Sequence, residues 1–128
     1  MKAIKIDVID RSVYSVDIDD TLESIYSNLD CELFTCPTML KNLDVLYVDD
    51  EGLYNNDGES YKGCFVFNNS LQPYYGHGLV TGTTDEGETA DILSSVQDIE
   101  RAVTFLDDVQ GKEILEQLKN IKPYIVGF

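Results

Sequence analysis

The chain has 128 residues, 43% apolar and 26% charged, a composition that suits one soluble globular domain and excludes a disordered tail. Nine basic against 24 acidic residues give a formal net charge of −15. Such a field repels phosphate backbones and anionic lipid, so direct nucleic-acid binding and membrane association are not expected.

"MKAIKIDVID" alternates, with Ile4, Ile6 and Val8 on one face and Lys5 and Asp7 on the other, as a half-buried strand does. It also places acids where a signal peptide needs hydrophobes, and no apolar run is long enough to span a bilayer. A cytosolic location, without export, is expected. "RSVYSVDI" repeats the alternation with Tyr14, Val16 and Ile18 in phase, and the short polar link Asp10-Arg11-Ser12 predicts an antiparallel hairpin. Leu22, Ile25, Tyr26 and Leu29 then form a helical stripe, with Asp20 as the expected N-cap and Glu23 in the capping-box position.

"CELFTC" (31–36) reads as a strand ended by Pro37, and "LDVLYVDDEGL" supplies one that is apolar on both faces and therefore central. "NNDGE" signals a turn, "GCFVFNN" a short strand, and "GLVTGT" a strand framed by glycines that permit close backbone approach. From Ser95, a stripe of Val96, Ile99, Val103 and Leu106 predicts a helix with a Ser95/Asp98 capping box. A second helix carries Ile114, Leu115, Leu118 and Ile121 with Lys119 and Lys122 in its last turn, and Pro123 stops it. The apolar tail "YIVGF" is expected to dock on the sheet or on a partner, which leaves room for a homodimer. Strands early and helices late predict an α+β class: a mainly antiparallel sheet with an N-terminal β-hairpin, one inserted helix and two C-terminal helices.

Several chemistries can be weighed from the residues. "VDIDDTL" (16–22) is similar to the nucleophile motif of haloacid-dehalogenase-type phosphatases, Asp17-x-Asp19-x-Thr21, and "VLYVDD" to their later Mg²⁺-binding acids. That fold, however, needs parallel strands separated by helices, and the motif here closes a hairpin. No later Ser/Thr or Lys motif completes the set, so catalytic residues are not expected. His77 is the only histidine beside three cysteines (Cys31, Cys36, Cys64), and with no paired Cys-x-x-Cys the thiols read as reduced core residues; no metal or cofactor is expected. "GHGLVTGTTDEG" lacks the lysine of a phosphate cradle. Neither Gly52 nor Gly58 has an Asp or Asn five residues earlier, as a calcium loop would require.

Two stretches concentrate the charge. Asn42 to Tyr61 carries Asp44, Asp49, Asp50, Glu51, Asp57 and Glu59, and Thr83 to Glu100 carries Asp85, Glu86, Glu88, Asp91, Asp98 and Glu100, with no Lys or Arg in either. On one face, Asp49, Asp50, Glu51, Asp57, Glu59, Asp85, Glu86, Glu88 and Asp91 would offer spaced carboxylates to a basic groove, with Tyr54, Tyr61, Tyr74 and Tyr75 as added contact area.

Three segments, "MKAIKIDVIDRSV", "LYVDDEGLYNN" and "GLVTGTTDEGETADI", together make the chain resemble the domain of unknown function 3846 family of bacteriophages and bacteria. The likeness covers about residues 1–106 of a single 1–128 domain, with about 107–128 as a helical extension, and the acidic "NNDGESYKG" departs from it. The resemblance implies a compact phage-type accessory protein with no established enzymatic activity. The leading expectation is a non-enzymatic inhibitor of a host protein with a basic surface, acting as a DNA mimic in an anti-defence or host-takeover role. The alternatives are a nucleotide or signalling-metabolite sponge, with "VDDEG" and "GTTDEGE" rimming a pocket, and the phosphatase.

Overall fold

A computed structural model describes residues 1–121, and the expectations for Lys122, Pro123 and "YIVGF" lie outside the described residues. The order is β1 (Lys2–Asp7), β2 (Ser12–Asp17), α1 (Leu22–Leu29), β3 (Phe34–Met39), β4 (Val45–Asp49), a single turn α2 (Gly52–Asn55), β5 (Cys64–Phe67), β6 (Tyr74–Tyr75), β7 (Gly78–Thr83), β8 (Thr89–Ala90), α3 (Val96–Ala102), β9 (Val103–Phe105) and α4 (Asp108–Ile121). A 3₁₀ turn covers Gly58–Ser60. The class is α+β, and every strand pair among the described residues is antiparallel.

The larger sheet runs β2-β1-β7-β4-β3, with the short β8 added to β7, and the smaller runs β6-β5-β9. Alternation along the strands sorts the core into layers. Ala3 and Leu79 face α1, where they meet Ile18, Ile25 and Leu29. Ile4, Ile6, Leu46, Val48 and Val80 face the other way, onto Phe65 and Phe67 of the smaller sheet and Ile99 of α3. The far side of the smaller sheet, Cys64 and Tyr75, is covered by Leu115 and Leu118 of α4. Both faces of β1 are therefore covered, and it is not the half-exposed strand its alternation suggests. Gly78 lies where the sheets approach, and a β-carbon there would stand 2.8 Å from the Phe65 ring.

Local expectations hold or shift for identifiable reasons. The Ser95/Asp98 capping box forms with both reciprocal bonds. The α1 cap is Thr21 rather than Asp20: its hydroxyl accepts from the Ser24 amide, while the Ser24 hydroxyl accepts from the Asp19 amide. Pro37 does not end β3 but lies within it. β3 is an edge strand whose pairing slips between Thr35 and Thr38, so the missing proline N–H is tolerated. α3 stops at Ala102, because Val103 and Phe105, apolar in either periodicity, pair as β9 with Phe67 and Phe65.

Candidate functional site

The strand order decides where the acids go. β4 and β7 are antiparallel neighbours, with Val48 opposite Gly78 and Val45 opposite Thr81. The acids following β4 and those following β7 therefore emerge at opposite ends of the sheet, separated by roughly 17 Å at ~3.3 Å per residue. Among the described residues, the acids after β4 and those after β7 therefore do not share the single face that the sequence suggested, and "VDDEG" and "GTTDEGE" leave the sheet at opposite ends.

At the β4 exit, several predicted residues turn inward or are already engaged. Asp49 is 9% exposed. Its carboxylate accepts from the Glu51 amide and the Asn55 side chain, each at 2.8 Å, and so shapes the entry to α2. Asp57 pairs with Lys119 at 2.7 Å. Asp50 is half-buried beside the Leu33 carbonyl that its amide reaches. Glu51 and the exposed Glu59 line an open, polar groove of about 700 Å³ with Asp30, Glu32 and Lys62, and Lys62 binds Asp30 at 2.6 Å. Of the tyrosines, Tyr54 is 63% exposed, whereas Tyr75 is buried and Tyr61 and Tyr74 are half-buried.

The same end holds a buried polar set that the sequence did not disclose. Asp7 accepts from the Ile9 and Asp10 amides and the Tyr14 hydroxyl, all at 3.0 Å, which fixes the β1–β2 turn. His77, 5% exposed, accepts the Val8 N–H on Nδ1 at 3.2 Å, and Nδ1 lies 3.7 Å from Asp7. Burial by itself would raise the Asp7 carboxyl; the Asp10 amide, the Tyr14 hydroxyl, the His77 charge and the Ile9 amide together outweigh it and leave the pKa below the usual range. Burial, followed by the nearby Lys5, holds the His77 imidazole below its ordinary pKa against the opposing pull of Asp7. A lone histidine between two glycines at a strand start was the only signal for this set.

The sign of the His77 effect follows from its depressed folded-state pKa. Its stabilisation is complete above the unfolded value of about 6.5 and is lost as pH falls below that through the folded value. His77→Gln keeps an acceptor for Val8 but cannot titrate. Urea midpoints between about pH 6.5 and 5 should decline for the parent and stay nearly flat for the variant; equal slopes would remove the assignment to His77.

At the other end, the β7–β8 turn exposes Asp85, Glu86 and Glu88, with Gly87 at φ +83 permitting the bend. Asp19, Asp20 and Thr21 line a groove of about 400 Å³ together with Gly87 and Glu88. Asp17, exposed at the end of β2 opposite Lys2, belongs to the same end. Asp91 is exposed and accepts the Lys2 amide at 2.8 Å. Among the described residues, none of Asp17, Asp19, Asp20, Asp85, Glu86 and Glu88 takes part in an ion pair. Lys2 and Lys41 are nearby in register and exposed, and the acids outnumber them.

This geometry does not assemble a phosphatase centre. Asp17 lies opposite Lys2 in register at one end of the sheet, while Asp49 and Asp50 lie at the end marked by Asp7, and among the described residues no strand pair is parallel. Among the described residues, no group of three or more His, Cys, Asp or Glu side chains is placed to hold a metal ion. Cys64 is buried against Tyr61, Cys31 is half-buried, and Cys36 is exposed on β3. Burial pushes the Cys31 thiol up to about 11, which leaves it protonated and unreactive at neutral pH. No described helix is long and apolar enough to cross a membrane.

No curated protein and no solved structure matches the chain. A family model does match, over residues 1–104, which reach into β9 and leave α4 beyond the matched span. On that match the chain belongs to the DUF3846 family, a domain of unknown function.

Proposed function

We propose that this is a small phage-type accessory protein without catalytic activity, one that binds and inhibits a host macromolecule through a basic surface on that partner. The observation that carries this reading is the acidic end of the larger sheet. There Asp19 and Asp20 of the β2–α1 connection and Glu88 of the β7–β8 turn line one groove, with Asp17 at the end of β2 and Asp85 and Glu86 in the same turn as Glu88, all exposed and with no ion pair among the described residues. In the sequence these segments are far apart, and the strand order converges them. Exposed carboxylates held on two loops can substitute for spaced phosphates and steer a basic groove to this end. The mimic face is thus built from the β2–α1 and β7–β8 connections, without Asp49 and Asp57.

A second reading, a metabolite sponge, draws on the groove of about 700 Å³ at the opposite end. Its size is that of a small-molecule site, and its acids with Lys62 suit a polar, partly cationic ligand. A metabolite released by heating the purified protein would favour this reading.

The leading reading is tested by capture from a bacterial host lysate at about 50 mM and about 500 mM salt, between which the screening length falls from roughly 14 Å to roughly 4 Å. A partner retained at low salt and lost at high salt is expected. Asp19→Lys with Glu88→Lys should cut its retention more than tenfold, while Glu59→Lys at the other end leaves it nearly unchanged. Equal losses for the two sites, or no partner at low salt, would count against the acidic end.

A further inference from the structure

His77 lies where β1 gives way to its turn. Ile6 stands opposite Gly78, so Asp7 and Val8 run past His77 at the same end of the sheet. The buried imidazole accepts the Val8 N–H on Nδ1 at 3.2 Å, which places the proton of the neutral ring on Nε2. The same Nδ1 stands 3.7 Å from Oδ1 of Asp7, too far for a hydrogen bond. That oxygen shapes the β1–β2 turn, since it accepts both the Ile9 and the Asp10 amides at 3.0 Å. One ring nitrogen therefore sits between a donor that it uses and an acceptor just out of reach.

A second proton on the ring reverses the polarity of that nitrogen. Nδ1–H then faces the Val8 N–H, donor against donor, while the Asp7 carboxylate offers a charged acceptor about 0.5 Å beyond bonding distance. The strand is poorly placed to follow the ring: a β-carbon at Gly63 would stand 2.8 Å from the Val8 carbonyl oxygen, so Val8 is packed against that segment. The charges around the ring are mixed. β1 supplies Lys5 and Asp7, the end of α1 Asp30, the segment before β5 Lys62, and β4 Asp49, which lies close to the neighbouring Gly76. Lys62 is paired with Asp30, and Asp49 holds the Glu51 amide and Asn55. Lys5 is left to oppose the added proton and Asp7 to attract it.

We propose that this end of the fold is a proton-operated switch: on protonation, Nδ1 of His77 leaves the Val8 amide for the Asp7 carboxylate, and the β1–β2 turn loosens. Asp7 Oδ1 has two lone pairs and already serves two amides, so an added imidazolium weakens the bonds from Ile9 and Asp10. The turn carries Ile9, 62% exposed, and acidification thus changes the surface shown there. Burial holds the imidazole below its ordinary pKa, which sets the switch below about pH 6.5. It is a local change within the folded chain, distinct from the overall loss of stability described for His77. The acidic end lies across the sheet, so the switch also stands apart from the partner binding proposed above.

The test is an NMR titration of the full chain between about pH 7.5 and about pH 5. The Val8, Ile9 and Asp10 amides should shift with one midpoint, shared with the His77 ring. Across it, the protection of Val8 from hydrogen exchange should fall about tenfold or more, while Val80 in the centre of the sheet keeps its own. His77→Gln should abolish the transition. Asp7→Asn should lower the ring midpoint by about one pH unit, because the carboxylate that attracts the proton is gone. A Val8 amide that stays protected while His77 titrates, a ring that does not titrate in this range, or an Asp7→Asn midpoint equal to the parent's overturns the proposal. So does a transition in which Val8 and Val80 lose protection together, because that is unfolding rather than a switch.

Discussion

Asp44→Ala is expected to destabilise the fold by about 3–5 kcal/mol, a large part of the roughly 5–15 kcal/mol typical of a domain. Asp44 is fully buried. One oxygen accepts the Leu93 amide at 3.1 Å, and the other accepts the Ser94 amide at 2.8 Å, the Ser94 hydroxyl at 2.6 Å and the Asn42 side chain at 3.2 Å. This carboxylate therefore ties the start of β4 to the segment that leads into α3. Alanine leaves two part-buried backbone donors without this partner, each costing up to about 1–3 kcal/mol where water does not replace it. Asp44→Asn should lose less, about 2 kcal/mol, because its carbonyl still serves one amide. The check is a urea titration with an unchanged slope and a shifted midpoint. A shift worth less than about 1 kcal/mol would mean that water replaces the lost acceptor. The residue lies in an acidic stretch, and its role there is to fasten elements, not to meet a partner.

Phe65→Ala is the second large effect, at about 3–5 kcal/mol. Phe65 has no exposed surface and stands in the cluster between the sheets. Its ring reaches the backbone of Gly78 and tilts against Tyr74 at 5.6 Å between centroids. The cavity opens where two sheets and α3 meet, so collapse would require whole layers to shift. For a chain of this length the melting temperature should fall by roughly 12–20 °C, at about 4 °C per kcal/mol. Phe65→Leu retains most of the volume and should lose about half as much. A drop of only a few degrees for the alanine variant would show that the two sheets slide together to fill the space.

What could be read beforehand divides along local and non-local lines. The N-terminal hairpin, the strands at Val45–Asp49, Cys64–Phe67 and Gly78–Thr83, and the Ser95 capping box all follow from alternation and capping chemistry within a few residues. The termination of α3 does not. Val103 and Phe105 suit a helical stripe as well as a strand, and only the free edge of β5 decides between them. Pro37 argues for a strand end until β3 is known to be an edge. The acidic site is the clearest case. Both acidic segments follow a strand, but which end each occupies depends on β4 and β7 being direct antiparallel neighbours, a pairing set by tertiary packing. The same unknown hid the convergence of Asp19 and Asp20 with Glu88.

Strand order also sets when the chain can fold. β1 is made first, yet its inner neighbour is β7, so the hairpin lacks that neighbour until Gly78–Thr83 has been synthesised. At about 5–20 residues per second, the ribosome needs roughly 4–14 s to travel from Asp7 to Gly78. For that interval Ile4, Ile6 and Leu46 have no completed core to enter. The emerging N-terminal half is therefore the period of greatest exposure to chaperones and proteases, and truncation anywhere before β7 should yield chains that are degraded rather than folded.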